Sequence, residues 1–174
     1  MKAIFMERSI HLFSGLTALL LLAGCMGYQL GGTRPEGIET VHLAPVINAT
    51  TEPAIELQVS HALLQRIHFD GRLKVRNTSD SADAIIEVKL TDYTLTAIAF
   101  RDDLKTTPEQ YRMRITGSAI LKDAKTGETL SESETYGETR FSFESDLTTS
   151  KRNALPRAAQ ELAKFMVDDL IERW

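Results

Sequence analysis

The chain has 174 residues, of which 43% are hydrophobic and 25% charged, and this is enough sequence for one domain with a substantial buried core. Its 20 Lys and Arg are outnumbered by 24 Asp and Glu, and the formal net charge of −4 argues against nucleic acid as a partner, because phosphate binding requires a basic excess. A single cysteine excludes an intramolecular disulfide, so the stability of the domain must come from packing.

Residues 1–24 have the pattern of an export signal. Lys2 and Arg8 form a basic region, and the apolar stretch 10–22 is too short to span a membrane. The sequence Leu22-Ala23-Gly24-Cys25 then has the small residues before a cysteine that a lipoprotein peptidase requires. We expect Cys25 to be lipidated and to become the N-terminus; the alternative is an ordinary export signal in which the cysteine is fortuitous.

Lipidation predicts how the mature chain is held and where. Three acyl chains on Cys25 exceed the two anchoring signals that stable membrane attachment needs. Met26 follows the cysteine, whereas Asp at this position retains enteric lipoproteins in the inner membrane, so we expect attachment to the outer membrane on the periplasmic side. Residues 25–37 are rich in Gly and lack apolar periodicity, which indicates a tether. Residues 38–174 are then predicted to form a single domain.

The first part of that domain reads as a strand followed by a helix. Residues 38–46 have β-branched character, and Pro45 restricts them to a sheet edge or to the end of a strand. Thr51-Glu52-Pro53 predicts a helix start with a hydroxyl cap, and Asp70-Gly71 predicts its end. The apolar positions between them recur at helical spacing: Ile55, Val59, Ala62, Leu63 and Ile67.

A longer strand follows and changes face partway. Residues 73–76 suggest a short strand, and 77–81 a polar loop. Within 84–100 the apolar positions are even-numbered up to Leu90 and odd-numbered afterwards. Since side chains alternate along a strand, this switch predicts a bulge or bend near Thr91-Asp92.

The last three elements are two strands and a helix. The odd positions of 111–121 are apolar, which is typical of a half-buried antiparallel strand. Lys125-Thr126-Gly127 predicts a hairpin turn, and the return strand 129–143 is rich in Glu, Ser and Thr. A helix reaching Trp174 follows, in which Pro156 either begins the regular part or introduces a kink. Its apolar face is predicted to comprise Leu155, Ala159, Leu162, Ala163, Phe165, Met166, Val167 and Leu170.

This order of elements predicts an α+β fold. Two amphipathic helices would pack on one face of a mostly antiparallel sheet of four to five strands, giving a two-layer sandwich.

Patterns that would indicate an enzyme are missing from the sequence. There is no P-loop, dinucleotide fingerprint or nucleophile elbow, and His61 and His68 lack the HExxH context of a metal site. The adjacent acids at 102–103 and 168–169 stand in polar settings, and neighbours in sequence seldom converge as an acid and base. We therefore expect a protein without catalytic activity, cofactor or metal.

Several short segments, in this order and spacing, resemble the LptE-type lipopolysaccharide-assembly lipoproteins. The resemblance extends over nearly all the mature chain. It rests on Gly27-Tyr28-Gln29-Leu30, Ile38-Glu39-Thr40-Val41, Pro45-Val46-Ile47-Asn48-Ala49-Thr50, Asp70-Gly71-Arg72-Leu73, Ala82-Asp83-Ala84-Ile85-Ile86, Glu161-Leu162-Ala163 and Leu170-Ile171-Glu172-Arg173-Trp174.

The resemblance implies an outer-membrane lipoprotein that plugs the wide β-barrel of an LptD-type protein, assists its assembly and helps deliver lipopolysaccharide to the outer leaflet. A polar return strand is compatible with a polar barrel lumen, although a solvated sheet face has the same composition. Two alternatives remain: a lipid-anchored activator or scaffold of another periplasmic envelope machine, and an envelope hydrolase with an unfamiliar site.

Lipopolysaccharide is an anionic amphiphile, so a site for it needs cations near its phosphates. The candidates are Arg101, Lys105, Arg112 and Arg114, which surround the loop joining the two long strands. The alternative is that they belong to an ordinary charged loop and to paired strand positions.

Lipidation should depend on Cys25, because the chain contains no other thiol. The Cys25→Ser variant should accumulate as uncleaved precursor and incorporate no fatty-acid analogue in metabolic labelling. Labelling equal to that of the parent would refute the assignment.

Overall fold

The computed structural model describes residues 37–102, 106 and 108–172. It confirms an α+β fold with two helices and a mostly antiparallel sheet, but the sheet has six strands rather than four to five. Cys25 and the segments 1–24 and 25–36 lie outside the described residues. The elements are β1 (Thr40–Leu43), β2 (Ile47–Asn48), α1 (Ile55–Asp70), β3 (Lys74–Val75), β4 (Ala84–Phe100), β5 (Pro108–Asp123), β6 (Thr129–Ser142) and α2 (Leu147–Glu172).

The additional strand arises because the first predicted strand is divided at Pro45. The sheet order is β3-β1-β4-β5-β6, and β2 pairs with β4 beyond the end of β1. Ala44 donates its N–H to the carbonyl of Ile86 at 2.9 Å, and regular pairing stops at Pro45, where this segment has one residue more than β4: Leu43 is opposite Ile86, but Ile47 is opposite Lys89. Pairing resumes at Ile47, opposite Lys89. Both short strands run parallel to β4, whereas β4, β5 and β6 are antiparallel.

Asp83 fixes the register between β1 and the start of β4. Its Oδ2 accepts hydrogen bonds from the N–H groups of Glu39 and Thr40, at 3.2 and 3.0 Å, and from Thr40 Oγ1 at 2.7 Å. In return, the N–H of Asp83 donates to the Thr40 carbonyl at 3.1 Å. The Thr40 hydroxyl, followed by the backbone donors, lowers the pKa of Asp83 because these hydrogen bonds favour the charged carboxylate.

The predicted bulge is present in β4. The register against β5 shifts between Leu90 and Asp92. Before the shift the even positions, including Val88 and Leu90, are buried; after it, Tyr93 and Leu95 turn inward. On β5 the odd positions stay buried from Met113 to Leu121, as the sequence predicts.

The start of α1 differs from the sequence prediction. The helix begins at Ile55, and its N-cap is Ala54 in the left-handed region at φ 62°, with no side-chain hydrogen bond. Thr51 therefore does not cap it. Asn48 holds the approach to the helix instead, because its Nδ2 donates to the Glu52 carbonyl and to Glu56 Oε2, both at 2.9 Å. The predicted end is confirmed, since Gly71 at φ 75° caps the helix with its N–H on the Ile67 carbonyl.

α2 is longer than its apolar pattern suggests. It begins at Leu147, where Asp146 Oδ1 accepts the N–H of Thr149 at 2.8 Å as an N-cap, so Pro156 lies inside the helix. Most of the predicted apolar face is buried, but Phe165 is 39% exposed and lies off that face. None of the helices among the described residues is long and apolar enough to cross a membrane.

α2 packs on β6 through unusually close backbone contact. A Cβ added to Gly137 would lie 2.2 Å from the Ala158 carbonyl oxygen and 2.3 Å from the Leu162 nitrogen. Such an approach is possible only because small residues meet on both elements: Ala154, Ala158, Ala159 and Ala163 of α2 are all buried. The hydrophobic core therefore lies on one side of the sheet, between the strands and the two helices.

Gly137→Ala should destabilise the domain by about 1–3 kcal/mol or more, because the helix backbone cannot yield to a methyl group at those distances. Chemical denaturation measures the free energy of unfolding. Glu134→Ala, at an exposed position of the same strand, is the control and should change it by no more than about 0.5 kcal/mol. Equal stability of the two variants would contradict this packing.

Asp83→Asn should destabilise the protein at neutral pH, and the difference from the parent should disappear in acid. The pKa of Asp83 is lower in the folded state than its unfolded value of about 3.9. The charged carboxylate therefore stabilises the fold fully above that pH, and this stabilisation is lost as the pH falls through the folded pKa. Unfolding midpoints measured from pH 7 to pH 2 test this. Asp80→Asn, on an exposed turn, should show no such trend.

Candidate functional site

The sheet face opposite the helices carries a cluster of polar and cationic side chains, here called the outer face. Because of the bulge, Thr94 and Thr96 of β4 point to this side, and they stand opposite Arg114 and Arg112 of β5. The intervening Met113 and Ile115 are buried on the helix side. The structure thus places Arg112 and Arg114 together on the uncovered face, as the alternation in the sequence predicts.

A single carboxylate lies between the two arginines. Arg114 Nη2 is 2.8 Å from Glu138 Oε2, and Arg112 Nε is 3.6 Å from Glu138 Oε1. The hydrogen bond from Arg114 lowers the pKa of Glu138, and Arg112, Arg114 and Arg140 add to this through their charge. The expected cross-strand pairing with β6 is therefore present, with one acid shared by two bases.

Arg114 is also held by an aromatic ring. Its guanidinium carbon lies 4.2 Å from the ring centroid of Tyr136, which is within cation–π range. Tyr136 stands opposite Thr116 on the outer face and is 46% exposed. Carboxylate and ring together fix the orientation of Arg114.

Thr94, Thr96, Arg112 and Arg114 line an open cavity of about 150 Å³. Arg112 Nε is enclosed and has no hydrogen-bond partner among the described residues. Two hydroxyls and two guanidiniums are donors suited to a phosphate or another anion. The cavity is thus chemically matched to an anionic group.

The other predicted cations lie apart from this cavity or outside the described residues. Arg101 follows the end of β4, five residues beyond Thr96, or roughly 16 Å along the strand. Lys105 is not among the described residues. Sequence reasoning missed Arg140, which lies directly opposite Arg112 on β6. Arg140 has the same even numbering as the outward-facing glutamates of the polar return strand, and this pattern could have indicated its direction. The sequence did not show which residue of β5 lies opposite it.

A second cavity, of about 390 Å³, lies between the N-terminal ends of the two helices and is lined mainly by apolar residues. Tyr93 Oη is enclosed there without a hydrogen-bond partner among the described residues. Burial, with a smaller contribution from Glu52, raises the pKa of Tyr93 to about 12, so its hydroxyl stays protonated. Nearby, Lys151 Nζ pairs with the Glu52 carboxylate at 2.7 and 2.8 Å.

Three of the acids and histidines considered in the sequence, Asp168, Asp169 and His68, have structural contacts. Asp168 pairs with Arg66 of α1, and Asp169 Oδ2 accepts a hydrogen bond from buried Ser133 at 2.8 Å. His68 Nδ1 lies 2.8 Å from the Leu64 carbonyl one turn earlier in its own helix. Across the described part of the chain, no three His, Cys, Asp or Glu side chains are grouped so that they could hold a metal ion.

Fold and surface together define a two-layer α+β domain with a polar sheet face that no described element covers, and Arg112, Arg114 and Arg140 are clustered on this face. The sequence profile of the LptE family, described as lipopolysaccharide-assembly, matches residues 38–173. The chain belongs to this family, which is one of non-enzymatic lipoproteins, and membership supports a role in lipopolysaccharide assembly in the cell envelope. No protein among the curated sequences matches the chain.

Solved structures are similar to this chain at low sequence identity. Protein XCC0632 from Xanthomonas campestris is 10% identical over 80% of this chain and 90% of its own, with a TM-score of 0.51. PelC from Paraburkholderia phytofirmans is 14% identical over 83% and 97%, with a TM-score of 0.49. Lipoprotein B from Nitrosomonas europaea is 18% identical over 80% and 89%, with a TM-score of 0.45. At this low identity, the similarity to XCC0632 supports the fold and no statement about function.

Proposed function

We propose that this protein is an outer-membrane lipoprotein, anchored through Cys25, that forms a complex with an LptD-type β-barrel. In this complex it assists assembly of the barrel and the delivery of lipopolysaccharide to the outer leaflet, without catalysing a reaction. The observation that carries the proposal is the family match, which extends over the whole described domain.

The distribution of polarity supports a protein enclosed by a partner. Most apolar side chains of the sheet lie on the helix side, while the outer face carries mainly Thr, Ser, Glu and Arg, together with Ile85, Ile120 and Tyr136. A barrel lumen is polar, so a domain lying within it needs such an exterior.

The outer face also supplies the chemistry for the anionic cargo. Arg112 and Arg114 line a cavity with two threonine hydroxyls, and their shared Glu138 neutralises only one of the two charges. We include Arg101 and Lys105 as further candidate cations. In this proposal the phosphates of lipopolysaccharide bind at the cavity and contact the cations.

Site-specific photocrosslinking in native membranes tests the partner. A crosslinkable residue in place of Ser118, on the outer face, should capture the LptD-type barrel of the same organism. The matched control is the same residue at Gln65, which is exposed on α1. Capture of a different periplasmic machine by Ser118 would favour the alternative role of activator or scaffold, and would overturn the barrel proposal.

Binding of lipopolysaccharide by the full chain in non-ionic detergent tests the cargo. Arg112→Gln with Arg114→Gln should weaken binding by about tenfold or more, since charge-assisted hydrogen bonds to phosphate are lost. Glu138→Gln should strengthen binding, because it removes the competing carboxylate. Both effects should shrink at high ionic strength.

The control for this experiment changes the same number of charges away from the cavity. Lys122→Gln with Arg76→Gln alters one cation near the opposite end of β5 and one next to β3, at the opposite sheet edge. If this variant loses as much affinity as the arginine pair, binding depends on overall charge and the cavity has no specific role.

A further inference from the structure

Two arginines face each other across β5 and β6 without a carboxylate of their own. Arg112 and Arg140 are direct cross-strand neighbours, and like charges in that position repel. Glu138 is hydrogen-bonded to Arg114 and also lies 3.6 Å from Arg112 Nε, so its one charge is already shared between two arginines. In the described part of the chain no hydrogen bond or ion pair involves the side chain of Arg140. Binding of an anion would relieve this repulsion.

Arg140 also forms a wall of a cavity at the free edge of β6. The cavity has a volume of about 250 Å³, and Asn153 and Arg157 of α2 line its other side. Arg157 is exposed, and no residue of the described ranges pairs with its guanidinium. Glu144 is the one carboxylate among the lining residues, so two guanidiniums face a single negative charge.

The cavity is held in shape by the turn between β6 and α2. Buried Ser150 accepts a hydrogen bond from the N–H of Glu144 at 3.0 Å and donates to the Asp146 carbonyl at 2.8 Å. These bonds fix the first turn of α2 against the end of β6. Asn153 and Arg157 follow Ser150 by three and seven residues, and therefore lie on the same face of the helix.

We propose that Arg140 and Arg157, with Asn153, form a second anion subsite, so that the ligand of the outer face carries two phosphate groups. One phosphate binds between Thr96 and Arg112, and the other binds between Arg140 and Arg157. Arg140 belongs to the second subsite and lies next to Arg112 of the first. This inference rests on the proposed binding of a phosphorylated glycolipid and specifies the headgroup that is recognised.

The spacing requires two separate groups rather than one. Thr96, Arg112 and Arg140 are successive partners across three strands, a span of roughly 10 Å at about 4.8 Å per strand. A single phosphate seated between Thr96 and Arg112 cannot also fill the cavity of Arg140 and Arg157 beyond the other end of that row. A sugar headgroup with phosphates at its two ends can.

The test measures binding of the full chain, in non-ionic detergent, to two forms of lipopolysaccharide. One form bears two phosphates on its lipid anchor, and the other has had one of these phosphates removed. The parent should bind the diphosphorylated form about tenfold more tightly, as expected for charge-assisted hydrogen bonds. Arg157→Gln should abolish this preference while leaving affinity for the monophosphorylated form within about twofold. Arg76→Gln, at the opposite sheet edge, should keep the preference.

A parallel arm uses fructose 1,6-bisphosphate as a soluble competitor. If fructose 1,6-bisphosphate displaces the lipid from the parent but not from Arg157→Gln, the subsite is supported and binds soluble bisphosphates. If it displaces no lipid while the parent still prefers the diphosphorylated form, the subsite is specific for the glycolipid headgroup. If the parent binds both lipids equally and Arg157→Gln changes neither, the second subsite is wrong and the proposed function stands. If the parent binds neither lipid, direct recognition of the glycolipid is wrong as well.

Discussion

The contact between the backbone of α2 and Gly137 of β6 is the constraint on which the rest of the domain depends. No side chain can stand between these elements, so the helix lies directly on the strand and brings its alanine face into the core. This position places Leu162 and Met166 against the sheet with no exposure to solvent. Because both helices occupy the same side, the opposite face of the sheet is left uncovered and can be polar.

The bulge at Thr91 determines what that uncovered face contains. Without the additional residue, Thr94 and Thr96 would turn toward the helices, and Tyr93 would turn away from them. The shift brings the two hydroxyls next to Arg114 and Arg112. A local irregularity in one strand therefore assembles the four donor side chains that line the cavity, in keeping with the frequency of bulges at functional sites.

The charges on the outer face are concentrated in a chain that is acidic overall. The net charge of −4 conceals a local excess, in which Arg112 and Arg114 pair with Glu138 and the charge of Arg140 helps to lower the pKa of that acid. Exposed ion pairs contribute little to the free energy of folding, and two arginines directly across from each other destabilise the folded state. The arrangement is therefore better explained by binding than by stability.

Sequence alone determined the features that depend on local pattern. The two helices, the long strands, the change of face near Thr91 and the outward direction of Arg112 follow from the periodicity of polar and apolar residues, and the Gly71 helix end follows from the chemistry of glycine.

Only the tertiary structure decided the features that depend on residues far apart in the chain. The pairing register placed Arg140 opposite Arg112, and the docking of α2 brought Arg157 to the same edge as Arg140. Likewise, the N-cap of α1 is Ala54 in the left-handed region and not the expected threonine hydroxyl. Asn48 of β2 holds the segment before the helix by a hydrogen bond to the Glu52 carbonyl. A local pattern specifies which way a side chain points. The residue that lies next to it on another strand or helix depends on how the whole domain packs, because the pairing of elements is determined by the burial of the shared core.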